Sequence, residues 1–257
     1  MNKKEAKDAI IAHVAEFWKF CGQRNYAHIE GMEPGIVIRY ISGLQNPLSN
    51  GIFRPKSEYV EKIPEEIQFF QKKASAFTWW LEQEKHQKSL LQALQAHGFA
   101  KQGQYIGCAL NLKNISEDGK KDPIEIIEVN DPQKFHIWLK LLSKEKAMTE
   151  MGEIFQQVSC IFDQEGPFRH FMAILGQNYL GIITLFISRG IPGIWNLIVL
   201  DQERKKEVER ALVHKVLHEA KKLGFPMIVG FHPKGSHWMK SFGFETYCQF
   251  TALTFTF

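Results

Sequence analysis

Residues 194–200 read Ile-Trp-Asn-Leu-Ile-Val-Leu, an apolar run interrupted by Asn196. They lead into Asp201-Gln202-Glu203-Arg204-Lys205-Lys206 and then into a long helical pattern opened by Glu207-Val208-Glu209. A strand that turns into a helix presents the helix's first N–H groups to whatever lies ahead, and the helix dipole makes that place attractive to an anion. Three cations just before such a terminus oppose the dipole unless an anion or the two glutamates balance them. Two readings stay open. Arg204, Lys205 and Lys206 help to hold an anion, or Glu207 and Glu209 satisfy the dipole and pair with those cations. A carboxylate about 5 Å from a phosphate, at an effective dielectric of about 20, costs about 3 kcal/mol. That is roughly a hundredfold in affinity, so the glutamates weigh against a phosphate ligand.

Other chemistry-bearing residues are less patterned. His214 and His218 stand four apart on one helical face, a spacing that can bind a metal, but the segment lacks the glutamate of an H-E-x-x-H motif and both fall on the polar side of the helix, which favours surface histidines. His232 and His237 flank a Pro-Lys-Gly turn. Cys21, Cys108, Cys160 and Cys248 are widely spaced without metal-ligand pattern, which fits a reducing compartment and buried structural thiols. Glu150 and Glu153 read as a solvated helix face in preference to an amine-binding pair.

The elements that must position these residues follow from periodicity. In the first half, helices are expected over 4–21, 58–73 and 87–97, and strands over 35–41, 77–81 and 104–112. Trp79 and Trp80 must face opposite sides of their strand, one in the core and the other suited to packing between halves. A polar linker over 113–123 places a boundary near Asp118. In the second half a strand over 124–129 precedes Asp131, which caps a helix begun by Pro132, with a second helical stretch running to about Gln157. Strands over 168–175, 179–188 and 194–200 follow, the last apolar enough to be buried on both faces. A helix over 207–223, a strand over 227–231, a short helix over 236–242 and a strand or bent pair over 244–257 complete the order.

This order resembles the GCN5-related N-acetyltransferase (GNAT) fold, in which an apolar strand runs into an R-x-x-G-x-G or R-x-x-G-x-A loop that opens a long helix. The matching residues are Leu197-Ile198-Val199-Leu200 and then Arg204 to Glu209; later, residues 227–231, His232-Pro233-Lys234-Gly235 and Phe242-Gly243-Phe244 match the strand, glycine loop and L-G-F ending. Segments 42–51, 77–80 and 94–99 resemble the degenerate N-terminal half of two-domain relatives. The resemblance implies an α/β (α+β) protein of two tandem GNAT-like domains, 1–118 and 119–257, each a mixed, mostly antiparallel sheet flanked by helices. It implies an N-acetyltransferase that uses acetyl-CoA as acyl donor and a small primary amine as acceptor. Leu197, Ile198 and Val199 would lie along the pantetheine arm. Arg204, Lys205, Lys206, Glu207, Val208 and Glu209 would lie at the pyrophosphate, and Asn196 and His232 are the candidate catalytic side chains. Two departures support a second reading, a catalytically inactive GNAT-fold binding protein: Glu207 and Glu209 occupy both glycine positions, and Met239 stands where many members carry a proton-donating tyrosine.

Composition narrows the classes. The 44% hydrophobic and 23% charged residues, with 20 Phe and 6 Trp, describe a globular chain with enough aromatic area for two cores. A net charge of +4 without a basic stripe argues against nucleic acid. No apolar run approaches a membrane span, and the N-terminus carries Glu5, Asp8 and Glu16 within an amphipathic pattern, unlike a signal peptide. A cytoplasmic protein is expected, as a monomer or homodimer.

Overall fold

The structure, a computed structural model, describes residues 2–22, 30–32, 37–42, 46–73, 75–83, 87–115, 123–144, 166–235 and 238–257. Asp118, the helical stretch beyond 144, Glu150, Glu153, Cys160 and His237 lie outside the described residues. The chain forms two compact units that interleave along the sequence. The C-terminal unit comprises Met1–His13, Cys108–Phe231 and Ser236–Glu245; the N-terminal unit comprises Val14–Gly107, His232–Gly235 and Thr246–Phe257. No helix among the described residues is long and apolar enough to cross a membrane.

The chain opens with α1 (Lys3–Gly22). In the N-terminal unit follow β1 (Glu30–Met32), β2 (Val37–Ile41), β3 (Asn50–Phe53), α2 (Ile63–Lys72), β4 (Phe77–Glu82), α3 (Lys88–Ala96) and the start of β5 (Ala100–Asn111). The last strand of the chain, β11 (Glu245–Phe255), also belongs here: it pairs antiparallel with β4 from Phe250–Glu82 to Phe255–Phe77. The strand order is β1-β2-β3-β4-β11, with β3 parallel to β4. Phe70, Phe77, Trp79, Leu90, Leu94 and Phe99 form its core. Both tryptophans are buried within this unit. Trp80 donates to the Tyr40 hydroxyl at 2.6 Å, where the sequence suggested packing between halves.

In the C-terminal unit the later residues of β5 are followed by β6 (Glu125–Glu128), α4 (Pro132–Leu142), β7 (Phe168–Leu175), β8 (Asn178–Ser188), β9 (Ile191–Val199), α5 (Lys205–Lys222), β10 (Met227–Pro233) and α6 (Trp238–Ser241). The strand order is β5-β10-β9-β8-β7-β6; β6, β7, β8 and β9 pair antiparallel in succession, and β10 pairs parallel with β9. Asp131 caps α4 as its sequence position indicates, accepting from the Lys134 amide at 2.8 Å. α5 buries Val208, Ala211, Leu212, Val213, Val216, Leu217 and Ala220 against Phe171, Ala173, Ile183, Leu185 and Ile194 of the sheet. Close approach of this helix needs Gly181, because a Cβ there would lie 2.6 Å from the Ile198 carbonyl oxygen and 3.0 Å from Val208 Cγ1. Arg169 clamps the same helix from the side, donating to Glu219 at 2.8 Å while also holding Glu128 at 2.7 Å. The opposite face of the sheet carries His170 under the Trp138 ring of α4, with centroids 4.1 Å apart.

Candidate active site

The site is built on the end of β9. Residues 195–197 and 199 are half-buried, so this stretch is not buried on both faces as its apolar composition suggested. Two geometric features explain why. The first is an open edge. The parallel pairing with β10 runs over Gly193–Val229 and Ile194–Gly230; among the described residues no residue of β10 stands paired with Asn196–Val199, and the Val199 carbonyl accepts from the Gln202 side chain at 2.9 Å. The corresponding parallel pair of the N-terminal unit stays joined to its end: Gly51, Ile52 and Phe53 face Thr78, Trp79 and Trp80, and the Arg54 amide still donates to the Trp80 carbonyl at 3.1 Å. An unpaired strand edge offers backbone donors and acceptors to an extended ligand. Among the described residues the C-terminal unit presents one at this position and the N-terminal unit does not.

The second feature is a bulge. Thr184 faces Trp195 and Ile182 faces Ile198, so Asn196 and Leu197 together stand opposite Ile183. Asn196 takes a left-handed conformation with φ of 52°, uncommon outside glycine but tolerated by asparagine. Its side chain donates to the Thr184 hydroxyl at 3.3 Å, and that hydroxyl lies 2.9 Å from His170 Nδ1. Burial holds the His170 imidazole neutral, its pKa pushed down to about 3. Next to the bulge, Trp195 donates to His13 Nε2 at 3.0 Å, and Gly193 leaves the room that the His13 ring fills. Burial also lowers His13 to about 3, the Ile191 backbone opposing the shift.

Past Val199 the chain turns into α5. Asp201 shapes the turn: one carboxylate oxygen accepts from the Glu203 amide at 3.0 Å and the Arg204 amide at 3.1 Å. The Glu207 and Val208 amides point back to the Arg204 carbonyl at 2.9 and 3.0 Å. Residues 202–207 are exposed. Among the described residues Glu207 and Glu209 form no ion pair with Arg204, Lys205 or Lys206, so the reading in which the glutamates pair with these cations has no contact behind it. The carboxylate that does engage the turn is Asp201, which the sequence reading passed over. An aspartate opening a polar turn before a helix is the signal that marks it.

The remaining candidates are placed as follows. His232 lies on β10, in the part grouped with the N-terminal unit, with Nδ1 2.9 Å from the Pro233 carbonyl. That bond puts its proton on Nδ1 and the lone pair on Nε2; burial lowers its pKa, the Pro233 contact opposing. Met239 is buried, its sulfur 3.4 Å from Cys108 Sγ and its methyl where a Cβ on Gly230 would fall. It is a packing residue. Phe242-Gly243-Phe244 ends α6 with Gly243 at φ of 82° and the Phe244 amide bonded to the Met239 carbonyl. The His214 and His218 rings lie 6.2 Å apart, and no group of three or more His, Cys, Asp or Glu suited to a metal occurs among the described residues.

No protein-family model matches this chain, and no curated protein sequence matches it. Solved structures do. A GCN5-related N-acetyltransferase from Kribbella flavida superposes with a TM-score of 0.70 over 96% of this chain and 95% of its own, at 10% identity. A functionally unknown conserved protein from Staphylococcus epidermidis gives a TM-score of 0.69 over 91% and 94%, at 12% identity. A tandem GNAT protein from the clavulanic acid biosynthesis pathway gives 0.56 over 99% and 96%, at 11% identity. At such identities the likeness speaks of architecture. With a mixed sheet flanked by helices and a parallel pair that opens beside a strand-to-helix turn, the chain has the fold of the GCN5-related N-acetyltransferases.

Proposed function

We propose that this chain is an acetyl-CoA-dependent N-acetyltransferase built as two tandem GNAT-like halves, with its working site in the C-terminal unit. The observation that carries the reading is the open edge of β9 beyond Trp195, which leads into the turn before α5. An extended pantetheine arm would pair with the backbone of Leu197, Ile198 and Val199. The pyrophosphate would lie at the turn, facing the backbone of residues 204–209 and the cations Arg204, Lys205 and Lys206. A primary amine held beside the thioester attacks its carbonyl carbon, the carbon–sulfur bond breaks, and the coenzyme thiolate leaves. The amine nitrogen gives up one proton to solvent, and Asn196 is the side chain of the C-terminal unit assigned to the polar steps. With Met239 unable to donate, the thiolate departs without a protein acid. Isothermal titration of the full chain with acetyl-CoA tests this: saturable heat at sub-millimolar ligand is expected, and its absence in a folded sample overturns the reading.

One observation favours the alternative of a GNAT-fold binding protein without catalysis. Asp201 already occupies two amides of the turn with negative charge, and Glu207 and Glu209 add more beside it. Amine-dependent release of free thiol from acetyl-CoA separates the two, since the binding protein gives none.

A further inference from the structure

We infer that Thr184 is a positioning residue of this site, whose hydroxyl, braced from behind by His170, fixes the bulge that decides which backbone groups β9 turns toward its open edge. Thr184 is the one hydroxyl in the Ile182-Ile183-Thr184-Leu185-Phe186 stretch of β8, and it is wholly buried, as is His170. A hydroxyl has one proton and two lone pairs. Asn196 Nδ2 donates to the oxygen at 3.3 Å, and the hydroxyl proton is then available for His170 Nδ1 at 2.9 Å. Burial keeps the His170 imidazole neutral, and its Nε2–H tautomer carries the lone pair on Nδ1 that accepts this proton. The chain His170–Thr184–Asn196 thus crosses three strands, and its outer member is the residue held at φ of 52°.

The bulge has a geometric consequence along β9. Ile194 packs into the core under α5, and so do Leu197 and Val199, while Ile198 stands opposite Ile182. Uninterrupted alternation would group Ile194 with 196 and 198 instead. The extra residue at Asn196 therefore reverses the facing of everything after it, side chains and backbone groups alike. Asparagine holds the left-handed conformation less readily than glycine, so an anchoring hydrogen bond stabilises it there. Thr184→Val keeps the shape of the side chain and removes that anchor.

The backbone effect stands by itself, and its consequence for coenzyme binding rests on the proposed transferase reading. The test compares full-length wild type with Thr184→Val, Thr184→Ser, Asn196→Gly and the Thr184→Val/Asn196→Gly pair. Carbon chemical shifts of residue 196 and the amide shift of Leu197 report the backbone, and titration with acetyl-CoA reports binding. Thr184→Val is expected to move the residue 196 shifts away from left-handed values and to weaken acetyl-CoA about fivefold, the worth of one hydrogen bond. Thr184→Ser restores both. In the Asn196→Gly background, where glycine needs no anchor, Thr184→Val adds no further loss. Left-handed shifts that survive Thr184→Val overturn the inference, as does an equal loss of affinity in the glycine background. Should Thr184→Val fail to fold, Thr184→Cys takes its place with the same expectations. If wild type gives no heat with acetyl-CoA while the shifts respond as described, the transferase reading falls and the positioning role remains.

Discussion

Asp201→Asn isolates one charge at the turn before α5. The present carboxylate accepts from the Glu203 and Arg204 amides at 3.0 and 3.1 Å, so a phosphate drawn to this turn would meet a like charge within about 5 Å. Asp201 is half-buried and the residues after it are exposed, which places the effective dielectric between about 40 and 80 and the repulsion at about 1–2 kcal/mol. Asparagine keeps an oxygen acceptor for both amides, so the turn survives while the charge goes. Acetyl-CoA affinity should rise roughly tenfold, measured by titration calorimetry at low salt, and the gain should shrink as salt is added. The neutral acceptor holds the amides less firmly than the carboxylate, so a loss of about 1 kcal/mol of stability is expected alongside. Unchanged or weaker binding with an intact melting transition would refute the charge argument and place the phosphates elsewhere.

Three further outcomes follow from the same geometry. Replacing Glu207 and Glu209 together by Gly should tighten acetyl-CoA, but less than Asp201→Asn does, because Glu207 is exposed; calorimetry on both variants ranks them. Gly193→Ala puts a Cβ 2.1 Å from His13 Nε2 and should cost about 2 kcal/mol or more; His13→Ala in the same chain should recover over about 1 kcal/mol of that in a double-mutant cycle by urea denaturation. His13 and His170 are held near a pKa of about 3 when folded, against about 6.5 in an unfolded chain. The unfolded state therefore binds protons first, so stability is full above about pH 6.5 and falls as pH drops toward 3, by about 2 kcal/mol per histidine at pH 5. His170→Gln should remove about half of this histidine-linked pH dependence, read as the change in urea midpoint between pH 7 and pH 5; an unaltered slope would contradict it.

Much of the architecture is legible from the sequence because it rests on periodicity and turn chemistry. α5 reveals itself through the spacing of Leu212, Val213, Val216 and Leu217, and α4 through Asp131 and Pro132. The turn from β9 into α5 is legible for the same reason. Less legible is anything that depends on pairing between distant segments. Nothing near residue 250 states that β11 pairs with β4, since that choice is made by strands more than 150 residues apart in the chain. The bulge is hidden as well: Asn196 interrupts an apolar run, but its left-handed backbone becomes necessary only when Thr184 stands across from Trp195. Asp201 outranks Glu207 and Glu209 at the turn because capping depends on where a carboxylate can reach, which composition does not encode.

The antiparallel ladder between β4 and β11 has a consequence for how the molecule is made. A ribosome releases β4 long before the residues that complete it, so Trp79 and its aromatic neighbours must wait, partly assembled, for the last strand to emerge. Severing the chain between the halves would strand that unfinished sheet with a bare edge. Its natural rescue is the missing strand supplied as a separate peptide, and the same vacancy invites a second chain to lend its own.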